Sequence, residues 1–260
     1  MWISGLDSVT VARTNGARTR RLYEEVLGLR RMPLPAERGR FCVGLGPPAS
    51  PRSSRLVFRD ATGARAPGIR AIALAVRAGT LAAWRERIVE SQAKVAGRAW
   101  LFGEEYFCFA DEGGLELALT DAAIPASDGA SAPMRADEIL GLRAIEIDAG
   151  SGDEMARVSQ LLGMEFAGRD GPVRRFEFGH ADARIAIDLF ADHLAVPKAA
   201  AANTPDRLTF RVSSESELSR LRAMLRTAGY VPEERAGALV IGLHSPLIDI
   251  ALSCEGDTPA

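Results

Sequence analysis

The second half of this chain repeats the first at a fixed offset. Gly5-Leu6-Asp7-Ser8-Val9-Thr10 returns as Gly141-Leu142-Arg143-Ala144-Ile145-Glu146, and Val26-Leu27-Gly28-Leu29 returns as Leu161-Leu162-Gly163-Met164. Repetition restricts the chain to folds assembled from duplicated units, each burying a face against a neighbour. With 260 residues, 47% of them hydrophobic, there is enough chain for one large domain or two of ordinary size.

Within each half the pattern divides again, giving four segments that each open with a short alternating strand followed by an amphipathic helix. The first has a strand at Leu6–Ala12, a helix at Ala17–Leu27 and strands at Arg40–Leu45 and Arg55–Arg59. Gly28 stands where a helix end commonly needs a left-handed residue. The second has Ile69–Val76, a helix at Leu81–Gln92, and strands at Tyr106–Ala110 and Leu115–Thr120 around the turn Asp111–Gly114. The third has Leu142–Asp148, a helix at Asp153–Leu162, and strands at Arg174–Phe178 and Arg184–Phe190. The fourth has Arg207–Ser213, a helix at Glu215–Ala228 closed by Gly229, and strands at Ala238–Leu243 and Leu247–Ser253.

The strands are apolar on one face. Ile248, Ile250 and Leu252 point one way while Asp249 and Ala251 point the other, and Leu208, Phe210 and Val212 alternate with Arg207, Thr209 and Arg211. Helices therefore cover one side of a curved sheet, and mixed polar residues line the other. The fold class is α+β, with four βαβββ modules paired into two open half-barrels, helices outside. The domains expected are an N-terminal pair at 1–122 and a C-terminal pair at 138–256. Between them, residues 123–137, rich in Ala, Ser, Pro and Gly, read as a linker. Loose stretches at 46–54 and 196–205 read as loops.

Several function classes are excluded. A net charge of −2 gives no basic footprint for nucleic acid, and no apolar run approaches the ~18 residues of a membrane span. Cys42, Cys108 and Cys254 are odd in number and form no C-x-x-C pair. The N-terminus Met1-Trp2-Ile3-Ser4 lacks a basic region followed by an apolar stretch, so a reduced, cytoplasmic protein is expected. Nucleophile elbow, P-loop and dinucleotide glycine motifs are absent. Of the three histidines, His180 and His193 fall beyond strand ends and read as surface residues.

Three motifs carry a resemblance. Gly5-Leu6-x-x-Val9-Thr10, Leu22-Tyr23-x-x-Val26-Leu27-Gly28-Leu29 and Phe109-x-Asp111-x-x-Gly114-Leu115-x-Leu117 resemble the vicinal oxygen chelate superfamily, which includes glyoxalases, antibiotic-resistance proteins and extradiol ring-cleaving dioxygenases. The four-module length is similar to the dioxygenase branch. The resemblance implies paired modules that cup one divalent metal, with ligands on the first and last strands of modules; in the dioxygenases these are two His and one Glu. Carried over, the ligand positions in the first pair are Ser8, Ala71 and Ala118. In the second they are Ala144, Arg207 and Asp249, with Asp188 at the last strand of module three. Two methyls and a hydroxyl supply no ligand set, and the Arg207 guanidinium repels a cation.

The expectation is a metal-independent protein that binds or transforms a small aromatic or oxygenated metabolite. Arg207 would stand between Asp188 and Asp249 as the catalytic group, the Arg stabilising an enolate or phenolate while an Asp moves the proton. Glu146, Thr209, Tyr106 and Glu116 are candidate substrate-binding residues on the same strand faces. No cofactor is expected. The alternatives are a sequestering, resistance-type binding protein, and a dioxygenase or lyase using Fe2+ or Mn2+ on substitute ligands. The partner expected is a small-molecule ligand, without nucleic acid or membrane, in a monomer or homodimer.

Overall fold

A computed structural model describes residues 2–12, 17–33, 41–46, 54–59, 68–121, 138–149, 153–179, 184–191, 206–235, 237–244 and 247–254. Module one contains β1 (Ile3–Ala12), α1 (Ala17–Arg21, continuing as a π-helical turn at Leu22–Val26), β2 (Phe41–Leu45) and β3 (Ser54–Arg59). Module two contains β4 (Ile69–Val76), α2 (Leu81–Glu90), β5 (Lys94–Leu101), β6 (Glu104–Ala110) and β7 (Glu116–Thr120). Module three contains β8 (Ile139–Asp148), α3 (Asp153–Leu161), β9 (Glu165–Asp170), β10 (Val173–Phe178) and β11 (Ile185–Phe190). Module four contains β12 (Asp206–Val212), α4 (Glu215–Thr227), β13 (Glu233–Arg235), β14 (Ala238–His244) and β15 (Leu247–Cys254). The expected loop residues 47–53 and 196–205, the linker 123–137, and His180 and His193 lie outside the described residues.

The strands form two curled sheets, of seven and eight strands. The seven-stranded order is β13-β14-β15-β12-β1-β3-β2, and the eight-stranded order is β5-β6-β7-β4-β8-β11-β10-β9. Modules one and two therefore do not share a sheet, nor do modules three and four, as the sequence suggested. Module one joins module four through antiparallel β1 and β12, and module two joins module three through antiparallel β4 and β8. All four first strands carry the same apolar alternation, so the pattern fixes the presence of a seam without naming the partner. Further contacts tie the two sheets to each other, joining module two to module four and module one to module two. The Ile69 amide donates to the buried Asp206 carboxylate at 3.0 Å, and the Tyr23 hydroxyl donates to Asp111 at 3.1 Å. Gly46, at φ 92°, lets the end of β2 approach β8, where a Cβ would lie 3.1 Å from the Leu140 carbonyl oxygen.

The core lies between helices and sheets. Ile72, Leu74, Ile145, Ile147, Ile187 and Leu189 pack with Trp84, Ile88, Met155 and Val158 of the helices. Tyr23 packs edge-on to Phe58 with ring centroids 5.0 Å apart. Gly28 has φ 68° at the end of the first helix, as its position required. Among the described residues no helix is long and apolar enough to cross a membrane.

Three strands escaped the sequence reading: β5, β9 and β13. Each is the outermost strand at a sheet edge, and each is largely exposed. An edge strand whose inward face is at most half-buried needs only weak apolar alternation, so Lys94–Leu101 and Glu165–Asp170 carry little to mark them.

Exchange of modules predicts the behaviour of the halves. Residues 1–121 and 138–260, prepared separately, each supply half of both sheets and expose the seam strands. Near-UV circular dichroism should show no folded monomer for either half and recovery of the native spectrum on mixing. Two independently folded monomeric halves would contradict the observed pairing.

Candidate functional site

The face of the eight-stranded sheet opposite the helices is floored by small side chains. Register places Cys108, Ala118, Ala73, Ala144 and Ala186 side by side across β6, β7, β4, β8 and β11. The four alanines and Tyr106 form a second buried cluster, separate from the main core. One step along the strands runs the polar row Glu116, Ala71, Glu146, Asp188 and Arg175.

The small floor is explained by what crosses it. Arg175, 2% exposed, grips Asp188 through Nε and one terminal nitrogen, both at 2.8 Å. The same terminal nitrogen donates to the Tyr106 hydroxyl at 3.0 Å, and the guanidinium lies 4.1 Å from the centroid of Phe102. Tyr106 in turn donates to Glu104, which also accepts from Arg143. The Phe102 amide donates to Asp170 at 2.7 Å, so the turn between β5 and β6 meets the far edge of the sheet. This network fastens β6 to β8 and β10 across the interior.

Burial works against the charge of Arg175, but the hydrogen bonds and charge of Asp188 more than offset it and raise its pKa. Although burial opposes ionisation of Glu104 too, Arg143 and Tyr106 hold its carboxyl below the usual range. Burial pushes the Tyr106 phenol well up. Burial also lifts the thiols of Cys42 and Cys108 to about 11, so neither is a ready nucleophile at neutral pH.

Glu146 stands apart from this network. It is 8% exposed, and among the described residues no hydrogen bond engages its carboxylate. Its nearest cation is Arg70, 3.8 Å away, which lies equally far from Glu116 and Asp148 and rests 4.5 Å from the Phe190 centroid. A bulge in β4 turns Arg70 to this side. Burial raises the Glu146 pKa to about 7, and the carboxylates of Asp188, Glu116 and Asp148 add to the rise against the lowering effect of Arg70.

The residues named from sequence divide between the two sheets. Arg207, Thr209 and Asp249 lie on the seven-stranded sheet, where Arg207 donates to Asp249 at 2.8 Å. Asp188, Glu146, Tyr106 and Glu116 lie on the eight-stranded sheet. The expected trio of Asp188, Arg207 and Asp249 therefore does not form, because module three pairs with module two and module four with module one. Arg175, the true partner of Asp188, was missed. Its signal was the hairpin register that sets it opposite Asp188, in a segment read only as a strand.

The donor set does not fit the divalent metal that such a fold can cup. In the row Glu116, Ala71, Glu146 and Asp188, Ala71 has no donor atom, Asp188 is committed to Arg175, and Glu116 and Glu146 both face the Arg70 guanidinium. Among the described residues no three His, Cys, Asp or Glu side chains are grouped to hold a metal ion.

If Arg175 and Asp188 are one buried unit, Asp188→Asn or Arg175→Met should each destabilise the protein by about 3–5 kcal/mol in urea unfolding, since each strands a buried charge or donor set. Arg175→Met combined with Asp188→Leu should recover most of the loss. A change below about 1 kcal/mol in the single variants would mean that solvent reaches the pair.

No protein-family model and no curated protein matches this sequence. Solved structures do match in shape. A Bacillus subtilis subsp. subtilis str. 168 protein described as a "putative dioxygenase" superposes with a TM-score of 0.77 at 18% identity, covering 97% of this chain and 86% of that one. Glyoxalase I from Zea mays superposes with a TM-score of 0.63 at 14% identity, covering 95% and 91%. The cppA protein of Streptococcus pneumoniae TIGR4 gives 0.55 at 12% identity, covering 98% and 99%. With its four βαβββ-type modules, two half-barrel sheets and these neighbours, the chain has the fold of the vicinal oxygen chelate superfamily.

Proposed function

We propose that this protein binds a small oxygenated molecule against the inner face of the eight-stranded sheet and moves a proton on it through Glu146, with no metal in the step. The observation that carries the reading is a buried carboxyl free of hydrogen bonds beside a guanidinium held on an aromatic ring. A base works best when its pKa lies near the working pH, and burial has brought Glu146 there. The Glu146 carboxylate takes a proton from the carbon next to a carbonyl, and the C–H electron pair moves onto the carbonyl oxygen as an enolate. Arg70, whose contacts to Glu146, Glu116 and Asp148 are all at 3.8 Å, offers donors to the oxygen on which charge develops. Returning the proton elsewhere gives isomerisation; losing a neighbouring group gives a lyase. Asp188 is a structural partner of Arg175 in this scheme.

A sequestering protein would use the same face without turnover. The two separate in deuterium oxide, by following solvent-deuterium incorporation into a panel of small phenols and oxygenated carbonyl compounds by NMR. At least one compound should exchange, with half-maximal rate near pH 7, and Glu146→Gln should slow it by about a hundredfold or more. Binding without exchange identifies the sequestering alternative, and undiminished exchange in the variant removes Glu146 from the chemistry.

The same carboxyl has a cost in stability. Its folded pKa of about 7 lies above the ordinary 4.5, so the folded state holds the proton more tightly than the unfolded chain does. Stability from this group is full below pH 4.5 and declines as pH rises through 7. Glu146→Gln should therefore be more stable than the parent above pH 7, by about 2–3 kcal/mol, and indistinguishable from it at low pH.

A further inference from the structure

The two inner faces carry opposite charge. On the eight-stranded sheet Glu104, Glu116, Glu146, Asp148, Glu177 and Asp188 outnumber Arg70, Arg143 and Arg175. On the seven-stranded sheet the balance reverses. Arg55 and Arg207 each face one acid, Asp7 at 2.5 Å and Asp249 at 2.8 Å, and Arg211 adds a further guanidinium close to Gly5.

We infer that the inner face of the seven-stranded sheet is a second binding site, for a small molecule bearing a carboxylate or phosphate group. Register sets Arg55, Ser8 and Thr209 in one row across β3, β1 and β12, and Val57, Thr10, Arg207 and Asp249 in the next. Arg55 and Arg207 thus stand two strand spacings and one row apart, roughly 12 Å between backbones, with the Ser8 and Thr10 hydroxyls between them and Thr209 beside Arg207 on β12. Long, forked guanidinium side chains at that separation can converge on one oxyacid group.

The donors needed are uncommitted. Arg207 spends one terminal nitrogen on Asp249, and its Nε is buried without a hydrogen-bond partner among the described residues. Buried donors are seldom left unmet in folded proteins, so an orphan here points to an absent acceptor. The hydroxyls of Ser8, Thr10 and Thr209 likewise make no hydrogen bond among the described residues, although Ser8 and Thr10 are more than nine-tenths buried. Arg207 and Arg55 retain 28% and 27% side-chain exposure, so the face is open to solvent.

Module one had looked bare in sequence because Ser8 cannot hold a metal. Beside Arg207 of module four it becomes half of an anion cradle, and the pairing of modules one and four is what creates it.

The test is NMR titration of the whole protein with inorganic phosphate and, separately, with benzoate at low ionic strength. Saturable binding of at least one is expected, and the stronger probe assigns the acid group. Arg207→Gln should weaken it by about tenfold to a hundredfold, and Thr209→Val, which leaves the ion pair intact, by a smaller factor. Glu146→Gln, in the other half-barrel, should leave it unchanged. Absence of saturation with both probes, or equal affinity in the parent, Arg207→Gln and Thr209→Val, would overturn the site. Should Arg207→Gln fail to fold, Arg55→Gln takes its place with the same expectation.

Discussion

Everything about the inner faces follows from the two antiparallel seams, β4 against β8 and β1 against β12. Each seam sets the first strand of one module against the first strand of another, and side-chain register does the rest. Because Ala73 lies opposite Ala144 and Ala71 opposite Glu146, the eight-stranded face gains an alanine floor and one buried carboxyl. Because Thr10 lies opposite Arg207 and Ser8 opposite Thr209, the seven-stranded face gains hydroxyls beside a guanidinium. Pairing module one with two and three with four would have scattered both sets.

The seams also explain how the scaffold keeps its shape where a metal could have joined the modules. Arg175 and Asp188 form a buried, bidentate pair that Tyr106 and Phe102 complete from the opposite side of the sheet. Such a pair adds little net stability against an apolar substitute, but it is costly to break in half. Its geometry holds β6, β8 and β10 in one curvature while leaving Glu146 out of the network.

Much of the fold was legible in the sequence. The repeat located all four modules, alternation in Leu247–Leu252 and Arg207–Val212 assigned the faces correctly, and Gly28 marked a helix end. Edge strands β5, β9 and β13 were not legible, because none of their residues is fully buried and their apolar alternation is weak. The site was legible in parts. The expected neighbours Arg207 and Asp249 do form a pair, on strands that run parallel with the two residues in register. Asp188 was assigned to the wrong guanidinium, since local patterning contains no information about which module meets which. Arg175 had no signal beyond its place in a hairpin, and Arg70 acquired its direction only from a bulge.

The central claim is that the eight-stranded half-barrel holds a proton-transfer carboxyl where no metal site is built. Site-resolved carbon-13 NMR of the Glu146 carboxyl, followed against pH in chelator-treated protein and again with stoichiometric Mn2+, tests it most directly. A midpoint near 7 and resonances that Mn2+ neither shifts nor broadens selectively are the predicted result. A midpoint near 4.5, or selective broadening of Glu146 by the ion, would contradict the account.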